Sequence, residues 1–175
     1  MNQYNPKIHH RRSIRLKGYD YSKEGSYFIT ICCQDRICRF GQVENGEMVL
    51  NELGLEAYNE WTKLTERFPN MEMDVFQIMP NHMHGIVVLG GATLAVAPGA
   101  EASPAPSVSD IIGAYKSLVA NRCLDIYKTK NKILGKLWQR NFYEHIIRDV
   151  QSYQRISEYI LNNPKKWAND NFYRK

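Results

Sequence analysis

Two histidines one residue apart, His82 and His84, stand at the mouth of the apolar run Gly85-Ile-Val-Val-Leu89. On a strand, residues two apart point to the same face, so both imidazoles would project side by side while Met83 turns the other way. Two neutral imidazole nitrogens at that spacing can share a divalent cation. The pair also reads as two ordinary histidines at a strand end, one satisfied by a backbone carbonyl, and an isolated His-x-His does not choose between the two. A second suggestive stretch is 149–164, DVQSYQRISEYILNNP. Helical spacing places Val150, Tyr153, Ile156 or Ser157, and Ile160 on an apolar stripe with Tyr159 at its edge. Asn163 falls one turn after Tyr159 on the same face, and Arg155 one turn before. That polar row exceeds what packing needs, although a half-buried tyrosine with a bonded hydroxyl is the simpler reading of this helix alone.

Together the two stretches make a coherent chemistry. Two imidazoles and one amide oxygen are three neutral ligands, which leave positions for phosphate oxygens and water on Mg²⁺ or Mn²⁺. A tyrosine beside them could attack phosphorus and hold a nucleic acid covalently. No carboxylate cluster accompanies the histidines, which favours one metal and a tyrosine nucleophile over attack by water. Tyr153 is the alternative nucleophile but lies on the apolar stripe. His145 is a further candidate ligand whose strand context favours a structural role.

The elements that must position these groups are legible from pattern. Residues 26–33 are dense in β-formers and read as a buried strand. Asn45-Gly46 marks a hairpin turn before Met48-Val49-Leu50. Leu53, Ala57, Trp61 and Leu64 predict a helix from 52 to about 66. Strands follow at 71–79 and 83–89, joined at Pro80-Asn81. Residues 90–106 are Gly, Ala, Pro and Ser with almost no charge and read as a flexible insertion. Ser107 and Asp110 form a capping box for a helix carrying Ile111, Ile112, Tyr115, Leu118 and Val119 on one face. Residues 141–147 read as a strand, and Asp149 caps a last helix that Pro164 ends near Asn162. Without the hairpin arm and last helix the order is βαββαβ. The expectation is an α+β, ferredoxin-like antiparallel sheet with helices on one face, plus a C-terminal helix that carries Tyr159.

A chain of 175 residues with 43% hydrophobic residues is long enough for one domain with a real core. No apolar run reaches membrane-span length and no secretory h-region follows the first charges, so a cytoplasmic protein without a membrane partner is expected. The four cysteines, Cys32, Cys33, Cys38 and Cys123, make no paired framework and read as reduced thiols. The net charge of +5 resides entirely in residues 1–17, which hold Lys7, Arg11, Arg12, Arg15 and Lys17 and no acid. Such an arm suits a polyanion, nucleic acid first. The domain expectation is a basic arm at 1–17 and one domain at 18–175. Lys116, Arg122, Lys128, Lys130, Lys132 and Lys136 make the helix opened by Ser107 and its exit basic as well.

The chain resembles the single-tyrosine HUH transposases, most closely the branch of REP-associated tyrosine transposases. The resemblance is carried by Arg12–Tyr21 (RSIRLKGYDY), Gly25–Cys32 (GSYFITIC), Met79–His84 (MPNHMH), Leu137–Asp149 (LWQRNFYEHIIRD) and Tyr159–Pro164 (YILNNP). These blocks span almost the whole chain in the family order. The resemblance implies that His82 and His84 bind the metal, that Tyr159 is the nucleophile and that Asn163 is the third ligand. It implies cleavage of single-stranded DNA beside a hairpin (a REP-like repeat), with a 5′-phosphotyrosine and a free 3′-hydroxyl. It further implies action as a single subunit, with a homodimer as the alternative. Arg11, Arg12, Arg15, Lys17, Lys116 and Arg155 are the expected DNA backbone contacts. Trp138, Gln139 and Arg140 are expected to face DNA, since aromatic and guanidinium planes stack on exposed bases. The competing readings are a catalytically silent DNA-hairpin-binding protein and an RNA-binding ferredoxin-like module. The strands lack the Arg/Lys-Gly-Phe-x-Phe pattern of the latter.

Overall fold

The computed structural model of the protein describes residues 25–90 and 106–173. Six strands and four α-helices follow in the order β1 (Gly25–Cys32), β2 (Gly41–Glu44), β3 (Glu47–Leu50), α1 (Glu52–Thr62), α2 (Leu64–Arg67), β4 (Met71–Ile78), β5 (His82–Leu89), α3 (Val108–Thr129), β6 (Tyr143–Ile147) and α4 (Val150–Asn162). Strands β4-β5-β1-β6 form one antiparallel sheet in that spatial order, and β2-β3 pair separately. Setting β2-β3 aside, the order is that of the ferredoxin-like split βαββαβ arrangement. No helix among the described residues is long and apolar enough to cross a membrane.

Local chemistry explains most boundaries. Asn45 and Gly46 both have positive φ, 52° and 79°, as a two-residue hairpin turn requires. Asn51 caps α1, its Oδ1 accepting from the N–H groups of Leu53 and Gly54 at 3.0 Å. The expected helix to residue 66 is in fact interrupted at Lys63, after which α2 makes a single turn. Ser107 and Asp110 form the reciprocal capping box of α3. The Asp149 carboxylate accepts from the Ser152 N–H at 2.7 Å and starts α4. The last strand is shorter than expected, beginning at Tyr143 rather than 141.

The sheet separates two apolar layers. Tyr27, Ile29, Ile31, Met83, Val87 and Leu89 face α1 and α3, where Trp61 and Tyr115 meet edge to face at 5.0 Å. The Tyr115 hydroxyl donates to the Ala57 carbonyl at 3.0 Å, tying α3 to α1. On the opposite face Ile86 and Ile147 pack under Ile156 and Ile160 of α4, with Phe28, Val75, Val88 and Tyr153 around them. Val150, read from spacing as part of the α4 stripe, is instead 73% exposed and lies outside the cluster that Ile156 and Ile160 build under the helix.

Gly85 is the close approach between β5 and α1. A Cβ there would lie 2.8 Å from Trp61 Cζ2 and 3.3 Å from Phe76 Cβ. Overpacking of this kind destabilises by about 1–3 kcal/mol. Gly85→Ala is therefore expected to lower the unfolding free energy by that amount in a urea titration.

Candidate active site

Strand alternation puts His82 and His84 on the α4 side of the sheet and Met83 on the other. Both histidines are buried, and their Nε2 atoms face each other at 3.1 Å. His82 Nδ1 meets Asn81 Oδ1 at 2.9 Å. Asn81 Nδ2 donates to the carbonyls of Arg36 at 3.0 Å and Phe172 at 2.8 Å, which fixes its amide with the oxygen toward His82. The network therefore assigns the proton of His82 to Nδ1 and leaves Nε2 as a bare lone pair. His84 Nδ1 lies 2.7 Å from Thr30 Oγ1, a hydroxyl that serves either tautomer. Burial holds both imidazoles neutral: it pushes His82 well below its ordinary range, with His84 and Arg36 adding to the effect, and pushes His84 down to about 4 despite the opposing charge of Asp170.

The apolar face of α4 brings Tyr159 over this pair. Its hydroxyl is 3.2 Å from His84 Nε2, and its ring meets Phe28 edge-on while Phe28 stacks on His84. The phenol remains 41% exposed, so a substrate can reach it. Burial, then the charge and hydrogen bond of Asp170, push its pKa up to about 12, with the Asn163 amide pulling the other way. Asn163, at the end of α4, is buried; its Nδ2 donates to Asp170 Oδ2 at 2.8 Å, and its Oδ1 is buried without a hydrogen-bond partner.

His82, His84, Tyr159 and Asn163 are thus brought together from one strand and one helix. Pattern reading missed Asp170, which accepts from the Tyr159 hydroxyl at 3.4 Å, and missed Asn81, Thr30 and Phe172, which surround the histidines. Asn81 stands next to His82 in sequence and was visible only as a turn residue. Asp170 follows a 3₁₀ segment, Pro164–Asn169, that carries no amphipathic period to trace. His145 sits exposed on edge strand β6 opposite Phe28, and Tyr153 packs in the seam under α4.

The donor set fits a divalent cation. Two neutral imidazoles present Nε2 atoms to one space, and a buried amide oxygen nearby has no other partner. Among the described residues no group of three or more His, Cys, Asp or Glu side chains is arranged to hold a metal, so the fit rests on two histidines and an amide.

The expected DNA contacts divide. Arg11, Arg12, Arg15 and Lys17 lie outside the described residues. Arg140 and Arg155 are exposed and Gln139 is partly so. Lys116 donates to the Gln139 and Arg140 carbonyls at 2.8 and 3.0 Å, so its ammonium holds that segment. Trp138 does not face solvent, contrary to expectation. It is 5% exposed, bridges to Cys33, donates its indole N–H to the Lys116 carbonyl at 3.0 Å and packs on Phe40 at 5.1 Å. Of the basic series on α3 and its exit, Arg122, Lys128 and Lys130 pair with Glu60, Asp125 and Glu52.

No protein-family model matches the chain. An uncharacterized Haemophilus influenzae protein is 44% identical over 98% of this chain and 97% of its own length. A second Haemophilus influenzae protein, provisionally named a REP-associated tyrosine transposase, is 26% identical over 84% of this chain and 74% of its own. The solved structure of a REP-associated tyrosine transposase bound to a REP hairpin superposes with a TM-score of 0.54 at 21% identity, covering 89% of this chain and 74% of that one. That likeness fixes the fold class, an α+β sheet of the tyrosine-transposase kind. The chain is similar to REP-associated tyrosine transposases over most of its length.

Because Trp138 fills the core, Trp138→Ala is expected to destabilise the protein by about 3–5 kcal/mol in chemical denaturation. Trp138→Phe, which keeps most of the apolar volume, should lose markedly less stability than Trp138→Ala in the same titration.

Proposed function

We propose that this protein nicks and rejoins single-stranded DNA beside a hairpin, through Tyr159 and a divalent cation. The observation that carries the reading is the contact of the Tyr159 hydroxyl with His84 Nε2 at 3.2 Å, itself 3.1 Å from His82 Nε2. A nucleophile and a paired-imidazole seat thereby share one small space. The relatives supply the substrate class: one is named for REP-associated transposition and one was solved with a REP hairpin.

In this reading His82, His84 and the Asn163 amide oxygen would hold Mg²⁺ or Mn²⁺, which would supply Lewis-acid polarisation of a phosphate oxygen. Tyr159 Oη attacks phosphorus in line. The Oη–P bond forms as the P–O3′ bond breaks, and the electron pair leaves on the 3′-oxygen, which takes a proton from water. The phenolic proton passes to solvent. The products are a 5′-phosphotyrosine and a free 3′-hydroxyl, and reversal by another 3′-hydroxyl rejoins strands without a nucleotide cofactor. Exposed Arg140 and Arg155 are suited to backbone phosphates around the cut. Since Tyr159 reaches the histidines of its own chain, a single subunit carries all the groups required.

Incubation with a labelled single-stranded hairpin oligonucleotide and Mn²⁺ is expected to give a protein–DNA adduct on a denaturing gel. Tyr159→Phe and chelation by EDTA should both abolish it. His82→Ala should lose the adduct and keep hairpin affinity within a few-fold, because affinity comes from phosphate contacts. Adduct formation by the Phe variant would move the nucleophile elsewhere, and hairpin binding without any adduct would leave a silent binding protein.

A further inference from the structure

We propose that Asp170 is a positioning residue that sets the Asn163 amide so that its oxygen is presented to the cation; this rests on the cation-dependent reading above. At neutral pH a carboxylate only accepts hydrogen bonds, whereas a carboxamide has one donating and one accepting end. With Asn163 Nδ2 at 2.8 Å from Asp170 Oδ2, the amide has one allowed orientation, and Oδ1 must point away from Asp170. That oxygen is buried and unpartnered, in a residue 1% exposed. Native structures rarely leave such an atom without a reason. A cation held by the two histidines supplies one, and carboxylates that orient neutral ligands are a recurring feature of metal sites.

Asp170 is itself held in place. Its Oδ1 accepts from the Phe172 N–H at 2.6 Å. Arg36 donates to the Asn171 carbonyl at 3.0 Å and lies 4.9 Å over the Phe172 ring. Asn81 Nδ2 donates to the Phe172 carbonyl at 2.8 Å while its Oδ1 orients His82. The segment after α4 therefore orients both an imidazole and the amide: Asn81 links it to His82, and Asp170 links it to Asn163.

The discriminating variant is Asp170→Asn. It keeps an acceptor for the Phe172 N–H but turns a donor toward Asn163, so the amide must rotate and present its NH₂ group instead of its oxygen. The measurement is Mn²⁺ affinity of the full-length protein without DNA, by calorimetry or electron paramagnetic resonance. Asp170→Asn and Asn163→Ala are each expected to weaken Mn²⁺ binding by about 10-fold or more, within the range usual for lost orienting partners. The double variant N163A/D170N should be no weaker than N163A, because Asp170 acts only through Asn163. The exchange N163D/D170N, which swaps donor and acceptor and still offers an oxygen, should recover affinity. Melting temperatures within a few degrees of wild type separate these effects from loss of fold, and if D170N melts early the exchange variant decides alone. Unchanged Mn²⁺ affinity in D170N overturns the inference, as does an additive loss in the double variant or failure of the exchange to recover. His82→Ala distinguishes the two levels: if it too binds Mn²⁺ like wild type, the cation-dependent reading fails, whereas its loss with D170N intact removes only the role of Asp170.

Discussion

Burying two imidazoles side by side on the face of a sheet is the constraint around which the rest of the structure is arranged. An imidazolium in that position would face a large desolvation penalty, and two would repel each other as well. Both rings are therefore neutral, and a neutral ring needs a donor or acceptor at each nitrogen. Thr30 from β1 and Asn81 from the β4–β5 turn serve the Nδ1 atoms, while the Nε2 atoms are left to meet each other and Tyr159. The apolar layer under α4 continues the same face with Ile86, Ile147, Ile156 and Ile160. The polar patch and the hydrophobic seam are thus one surface, and the seam sets the height at which Tyr159 crosses the histidines.

The turn between β4 and β5 does more than reverse the chain. The Pro80 carbonyl accepts from Arg39 and Phe40, and the Asn81 carbonyl accepts from Cys33. This anchors the residues that follow β1, including Arg36, against the base of the His82 strand. Arg36 in turn fastens the segment after α4. Lys116 performs a related service from the other layer, its ammonium bonded to two carbonyls just past Trp138. Positive charges that look available for DNA in a linear reading are, at several positions, consumed in holding backbone carbonyls or acidic side chains.

Much of this was legible because it is local. Alternation placed His82 and His84 on one face with Met83 opposite, the Asn45-Gly46 pair marked a turn, and Ser107, Asp110 and Asp149 marked helix starts within a residue. The 3.6-residue period placed Tyr159 and Asn163 together on α4. What failed was information carried by tertiary closure. Trp138 sits beside Arg140 and so resembles a base-stacking aromatic, but its bridge to Cys33 turns the indole into the core. Val150 fits the helical stripe, yet it stays exposed and outside the apolar cluster beneath α4. Asp170 follows a proline-started 3₁₀ segment with no period, and its meeting with Asn163 depends on Arg36, 134 residues earlier in the chain.

The direction of β5 has one more consequence. The strand begins at His82 and ends at Leu89, where it pairs with Gly25 at the start of β1. At about 3.3 Å per residue, that far end lies roughly 23 Å from the histidines. The sheet is therefore polarised along its strands, with the histidines and Tyr159 gathered at one rim and the paired ends Gly25 and Leu89 at the other. A substitution at Gly25 or Leu89 therefore acts on the pairing of strand ends and leaves the space around Tyr159 untouched, so the two rims report separately on sheet stability and on chemistry.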